Sequence, residues 1–188
     1  MINSVGLQNP GIDSWITEDL PALLSHEARV VVSIWGRTVD EYREVASRLT
    51  GVKGITAVEV NVSCPNLEER GDIFAHDPNS CQAAVNASLI SGLPTWAKLS
   101  PNVTDIVSIA KAAMEAGAEA LTLSNTLLGM VIDPETLRPV LGNGGGGLSG
   151  PSIRPVAVRA VYDVYEEGAR ENHWHLQCQE LPDERRRT

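Results

Sequence analysis

No apolar run in this sequence approaches the roughly 20 residues that span a bilayer as a helix, so no membrane segment is read from it. Basic runs are also missing before the last few residues, and the formal net charge is −9. That balance argues against nucleic acid or an anionic membrane as the main partner. The N-terminus, MINSVGLQNPG, has neither a charged leader nor an apolar stretch behind it, and no signal peptide is read there. Cysteine is scarce. Cys64, Cys81 and Cys178 make no disulfide framework, so a reducing, cytoplasmic setting is the simpler reading. Nor do they form a cluster that would hold an iron–sulfur centre. Sequons at Asn61, Asn86 and Asn102 read as coincidental without a secretory signal.

What is present is strand–helix alternation. The chain has 188 residues, 43% of them hydrophobic, which suffices for one sizeable core. Strands are expected at 29–34 (RVVVSI), 56–62, 95–99 and 118–124. Helices are expected at 38–50, opened by Thr38, and at 77–91, opened by Asp-Pro. Two more are expected, at 104–115, closed by Gly117, and at 152–165. Spacings of about thirty residues mean βαβ units and a parallel sheet. The polar residues of interest sit at strand C-terminal ends: Ser33, Asn61 with Cys64, Lys98, and Ser124 with Asn125. In a (β/α)8 barrel that end is the active-site face, and in a doubly wound sheet it is the ligand crevice. The barrel is favoured, because every candidate strand offers a polar residue to one shared rim. A full barrel takes about 250 residues. The expected fold is therefore a partial TIM barrel, with central strands and helices present and the first and last strands missing.

Four features carry chemistry. Cys64 lies on a Ser-Cys-Pro turn just past a strand, where a thiol is useful only as an accessible thiolate. The plainer reading is a small buried hydrophobe, which is also the reading for Cys81. Lys98 stands in an apolar strand, where a cation needs a partner or must snorkel. Asn125 and Thr126 follow an apolar strand and offer amide and hydroxyl groups to a planar polar ligand, or simply form a turn. The glycine-rich stretch 142–153 leads into a helix and suits an anion, or else is a surface loop. Together these features point to a cofactor-using barrel enzyme with a thiol acid/base, and they leave the substrate unnamed.

The stretches NSVGLQNPG, EVNVSCPN, AKLSPNVTDIV, NTLLGM and GGLSGPSIRPVAVR resemble the class 1 dihydroorotate dehydrogenases, most closely the class 1B catalytic subunit. The resemblance implies an FMN-dependent barrel that oxidises dihydroorotate to orotate in pyrimidine biosynthesis. It implies that Cys64 takes a proton from C5 as hydride leaves C6 for the flavin. Asn3, Ser4, Val5, Gly6 and Leu7 match one substrate-contacting stretch. Asn61, Asn125 and Thr126 match further substrate contacts. Ser33, Asn61, Lys98, Ser124 and Gly150 match flavin contacts, although Ser33 replaces the usual Asn. Class 1B enzymes work with a subunit that carries FAD and an iron–sulfur cluster and passes electrons to NAD, as homodimers or heterotetramers.

The match covers about residues 2–165; residues 1–167 read as the partial barrel, and 168–188 as an atypical polar tail with no strand pattern. His173 and His175 in that tail are two ligands at most, so no metal is assigned. Without its outer strands such a chain is expected to hold FMN weakly or not at all. Two other readings stand beside this one: the pyrimidine-reducing flavin domain of dihydropyrimidine dehydrogenase, and a non-catalytic fragment.

Overall fold

The computed structural model describes residues 1–63, 74, 76–171 and 176–178. In chain order its strands are β1 (Ile2–Asn3), β2 (Val30–Ile34), β3 (Ile55–Asn61), β4 (Thr95–Lys98), β5 (Ala120–Leu123), β6 (Leu127–Gly129), β7 (Gly146–Leu148) and β8 (Leu176–Cys178). Its α-helices are α1 (Ile12–Ser14), α2 (Leu20–Ser25), α3 (Val39–Arg48), α4 (Pro78–Ser88), α5 (Ile106–Glu115) and α6 (Arg154–Glu171). A π turn, Trp15–Asp19, joins the first two helices.

The larger sheet is parallel and five-stranded, in the order β2-β3-β4-β5-β8. All four strands expected from the sequence are in it. Their order never reverses, so this sheet has no switch point of the doubly wound kind. Strand pleating sorts the side chains. Val58 and Val60 are fully buried in the core with Tyr42, Ala46, Val85 and Ile109 of the helices. Ala57, Glu59 and Asn61 of β3 point to the other face. The same parity in β2 buries Val30, Val32 and Ile34 and leaves Val31 and Ser33 exposed. The helices therefore cover one face, and the polar residues share the other.

Local chemistry sets the helix starts. The Thr38 hydroxyl accepts from the Glu41 amide at 3.2 Å, and the Glu41 carboxylate reaches back to the Arg37 amide at 2.6 Å. Asp77 caps α4 by accepting from the Ser80 amide at 2.8 Å, and Asp105 caps α5 through the Val107 and Ser108 amides. Gly117, at φ +106°, follows α5 in the left-handed region, as its place in the sequence predicts.

The structure departs from expectation in four places. Residues 168–188 do not lack strand structure. Within them β8 pairs parallel with β5, Leu121 facing Leu176 and Leu123 facing Cys178. A three-residue strand is too short to show periodicity, and the free backbone groups of β5 supply the reason to pair. The helix expected to end at 165 runs on to Glu171, because no proline stops it. Helical residues 12–25 precede the first parallel strand and had no sequence counterpart. The glycine-rich stretch is in part a strand, since β7 is the centre of a three-stranded antiparallel sheet in the order β1-β7-β6.

Two predictions follow from the capping and the core. The Asp77 carboxyl lies below its ordinary value of 3.8, chiefly through the Ser80 hydroxyl, and that of Asp105 chiefly through the Ser108 amide. A depressed folded-state value means that this stability is fully present above about pH 3.8 and is lost as pH falls through the folded value. Urea midpoints should fall on acidification below pH 4, and Asp77→Asn with Asp105→Asn should flatten that fall. The Cys81 thiol, buried among Ala84, Val85 and its neighbours, is pushed up to about 12 by burial and secondarily by Asp77. It should resist iodoacetamide at pH 8 in the folded chain and react once the chain is unfolded in urea.

Candidate active site

Asn61 ends β3 on the polar face and is buried. The Tyr42 phenol, from α3, donates to its carbonyl at 2.9 Å. Phe74 meets the Tyr42 ring edge-on at 5.4 Å, which fixes the phenol's position. The Asn61 side-chain oxygen accepts from the Ser63 amide at 3.2 Å and from the Ser63 hydroxyl. That hydroxyl in turn accepts from the Asn125 amide nitrogen. The Asn125 oxygen accepts from the Thr126 amide at 2.8 Å. Asn102 closes the chain of contacts, donating to the Thr126 carbonyl at 2.9 Å and accepting from the Leu128 amide at 2.9 Å. One hydrogen-bonded line thus runs from α3 through the ends of β3 and β5 to the start of β6.

A second group lies beside it. Ser33 is level with Glu59, and Lys98 is level with both Asn61 and Thr122. The Glu59 carboxylate accepts from the Ser33 hydroxyl at 2.9 Å and from the Thr122 hydroxyl at 2.8 Å. Lys98 Nζ stands 3.8 Å from the same carboxylate. The cation that seemed costly in an apolar strand therefore has a counter-charge.

The residues expected to meet a ligand divide into two sets. Ser33, Asn61, Lys98, Asn125 and Thr126 come together at the C-terminal ends of β2 to β5. Ser124 joins them through its hydroxyl, which donates to the Asn125 carbonyl at 3.1 Å. Asn3 reaches the same region through β7. It is level with Gly147, where a Cβ would stand 2.5 Å from the Thr126 hydroxyl oxygen. Glycine at 147 is thus required by close packing against Thr126. Ser4 is half-buried, whereas Val5, Gly6 and Leu7 lie in an exposed stretch beyond β1. Gly150, at φ +92°, opens the turn into α6 next to Ser149, whose amide donates to the Met1 carbonyl at 2.8 Å. Cys64, His173 and His175 lie outside the described residues. A cleft of about 400 Å³ lies between α5 and α6, lined by Asp105, Tyr162, Asp163 and Glu166 among others, and includes none of these residues.

The comparison with known proteins fits this pattern. The family model for dihydroorotate dehydrogenase matches residues 1–171. The chain belongs to the dihydroorotate dehydrogenase family. Its curated relatives are of the B type, class 1B. It is 56% identical over 167 residues to the dihydroorotate dehydrogenase B (NAD(+)) catalytic subunit of Desulforudis audaxviator, covering 88% of this chain and 54% of that one. The subunit of the same name from Geobacter sp. is 51% identical over 165 residues, covering 87% and 54%. That of Anoxybacillus flavithermus is 46% identical over 165 residues, covering 87% and 53%. The chain spans about half the length of the curated relatives it matches.

Reading for polar strand ends overlooked Glu59, Ser63, Thr122, Asn102 and Tyr42 in this member of the dihydroorotate dehydrogenase family. Strand parity would have found Glu59, because it shares a face with Asn61. Removing the Tyr42 hydroxyl, as Tyr42→Phe, leaves the buried Asn61 carbonyl without that donor. It should lower unfolding free energy by about 1 kcal/mol in urea denaturation. Gly147→Ala should lower the melting temperature by forcing Thr126 to move, and Thr126→Gly in the same chain should restore part of the loss.

Proposed function

We propose that this chain carries part of the catalytic barrel of an FMN-dependent dihydroorotate dehydrogenase. It would oxidise dihydroorotate to orotate in pyrimidine biosynthesis, in the cytoplasm. The observation that carries the reading is the bonded line Asn61–Ser63–Asn125–Thr126 with Lys98 beside it, at the C-terminal ends of adjacent parallel strands. The relatives' names support the substrate and the link to NAD. The unbroken strand order supports a barrel as the parent architecture.

The donor set suits the cofactor. A flavin ring presents alternating carbonyl and N–H groups along one edge, and this rim offers an ammonium, carboxamides and hydroxyls. Ser33, Asn61, Lys98, Ser124 and Gly150 would hold it. FMN, when bound, supplies the acceptor for the hydride lost from C6 of the substrate. Lys98 contributes a positive charge where negative charge develops. Asn3, Ser4, Val5, Gly6, Leu7, Asn61, Asn125 and Thr126 would hold and orient dihydroorotate. Their carboxamides can donate to a carboxylate and accept from a ring N–H. Cys64 takes the C5 proton onto its sulfur. In sequence it directly follows Ser63, whose hydroxyl ties Asn61 to Asn125. A partner subunit with FAD and an iron–sulfur cluster would carry the electrons to NAD.

Because the chain is expected to hold FMN weakly, the test is an anaerobic visible spectrum of the chain with FMN in large excess, before and after dihydroorotate. Bleaching of the flavin band is expected, with Cys64→Ala slowing it about a hundredfold or more. Bleaching by dihydrouracil but not by dihydroorotate would instead favour the pyrimidine-reducing domain. No bleaching by either would overturn the reading for this chain.

A further inference from the structure

We infer that Glu59 is a positioning residue that holds Lys98 at the rim and offsets part of its charge. The inference rests on the reading of Lys98 as the cation beside the flavin. Glu59 sits on the central strand of the group β2-β3-β4, and its side chain is only 14% exposed. A carboxylate so placed is costly unless it is bonded or paired. Here each oxygen has a fixed hydroxyl donor, Ser33 from β2 on one and Thr122 from β5 on the other, at 2.9 and 2.8 Å. Both donors stand on rigid strands, so the carboxylate cannot swing away.

Lys98 is a flexible stem carrying a point charge. Its side chain is 26% exposed, and its ammonium stands 3.8 Å from the Glu59 oxygen that Ser33 also contacts. That separation is too long for a strong direct hydrogen bond, yet short enough for charge attraction in a half-buried site. The carboxylate thus restrains the ammonium without occupying all three of its N–H groups, which leaves donors for a ligand. Glu59 also lowers the net positive field that Lys98 presents to an electron-rich ring. Removing the charge while keeping the shape should free Lys98 and make a bound flavin easier to reduce.

The chain has three lysines, Lys53, Lys98 and Lys111, so amine acylation reads each separately by mass spectrometry. In the full chain without ligand, Glu59→Gln should raise the acylation rate of Lys98 about fivefold, the factor for a pair at the upper end of partly exposed ion pairs. Lys53 and Lys111 should be unchanged. An unchanged rate at Lys98 overturns the inference. If all three rates rise, the variant has loosened the fold. Ser33→Ala with Thr122→Val then decides, since it keeps the carboxylate but removes its clamp: a selective rise at Lys98 upholds the inference, and no selective rise overturns it. With FMN supplied in excess, Glu59→Gln should also raise the midpoint potential of the bound flavin. A selective rise in acylation with an unmoved potential would uphold the Glu59–Lys98 restraint. The same result would remove Lys98 from the flavin site, so the two claims fail separately.

Discussion

The pleat of β3 is the constraint on which the rest depends. Alternate residues of a strand must face opposite ways, so Val58 and Val60 enter the core only if Glu59 and Asn61 face away from the helices. Burial of those valines, each worth about 1.5–3 kcal/mol, locks the register. A slip of one residue would bury a carboxylate and expose the core. The stability of the helical layer and the placement of the polar rim are therefore one arrangement.

From that constraint the network builds outward by satisfied hydrogen bonds. Among the described residues no buried side-chain nitrogen or oxygen lacks a partner. Asn61 is held from behind by Tyr42 and from the side by Ser63, and Ser63 passes the restraint to Asn125. The small antiparallel sheet then brings Asn3 level with Gly147, beside Thr126. Pre-ordered amides of this kind would spare a ligand the cost of ordering the side chains that meet it.

Much of this is legible in the sequence alone. Periodicity located the strands β2 to β5 and the caps at Thr38 and Asp77, because these are local signals of several residues. Asn61, Lys98, Asn125 and Thr126 were legible as a shared rim because polar residues at the ends of apolar strands are conspicuous. Glu59 was not, since one charge inside a strand looks like an exposed edge position until its neighbours' hydroxyls are seen. The antiparallel sheet was also illegible. Its strands are two or three residues long, and Ile2 pairs with Leu148, far along the chain. The strand at Leu176–Cys178 has the same character, because only the open side of β5 gives it a reason to form.

The central claim is that the rim at the ends of β3, β4 and β5 is the site that recognises orotate-like ligands. The most direct measurement is a titration of the isotope-labelled chain, in the presence of excess FMN, with orotate, following the side-chain amide resonances of Asn61 and Asn125. The account predicts that both move together and saturate at one common affinity, while the amide of Asn86, on α4, stays still. Saturating shifts elsewhere with Asn61 and Asn125 unmoved would contradict it.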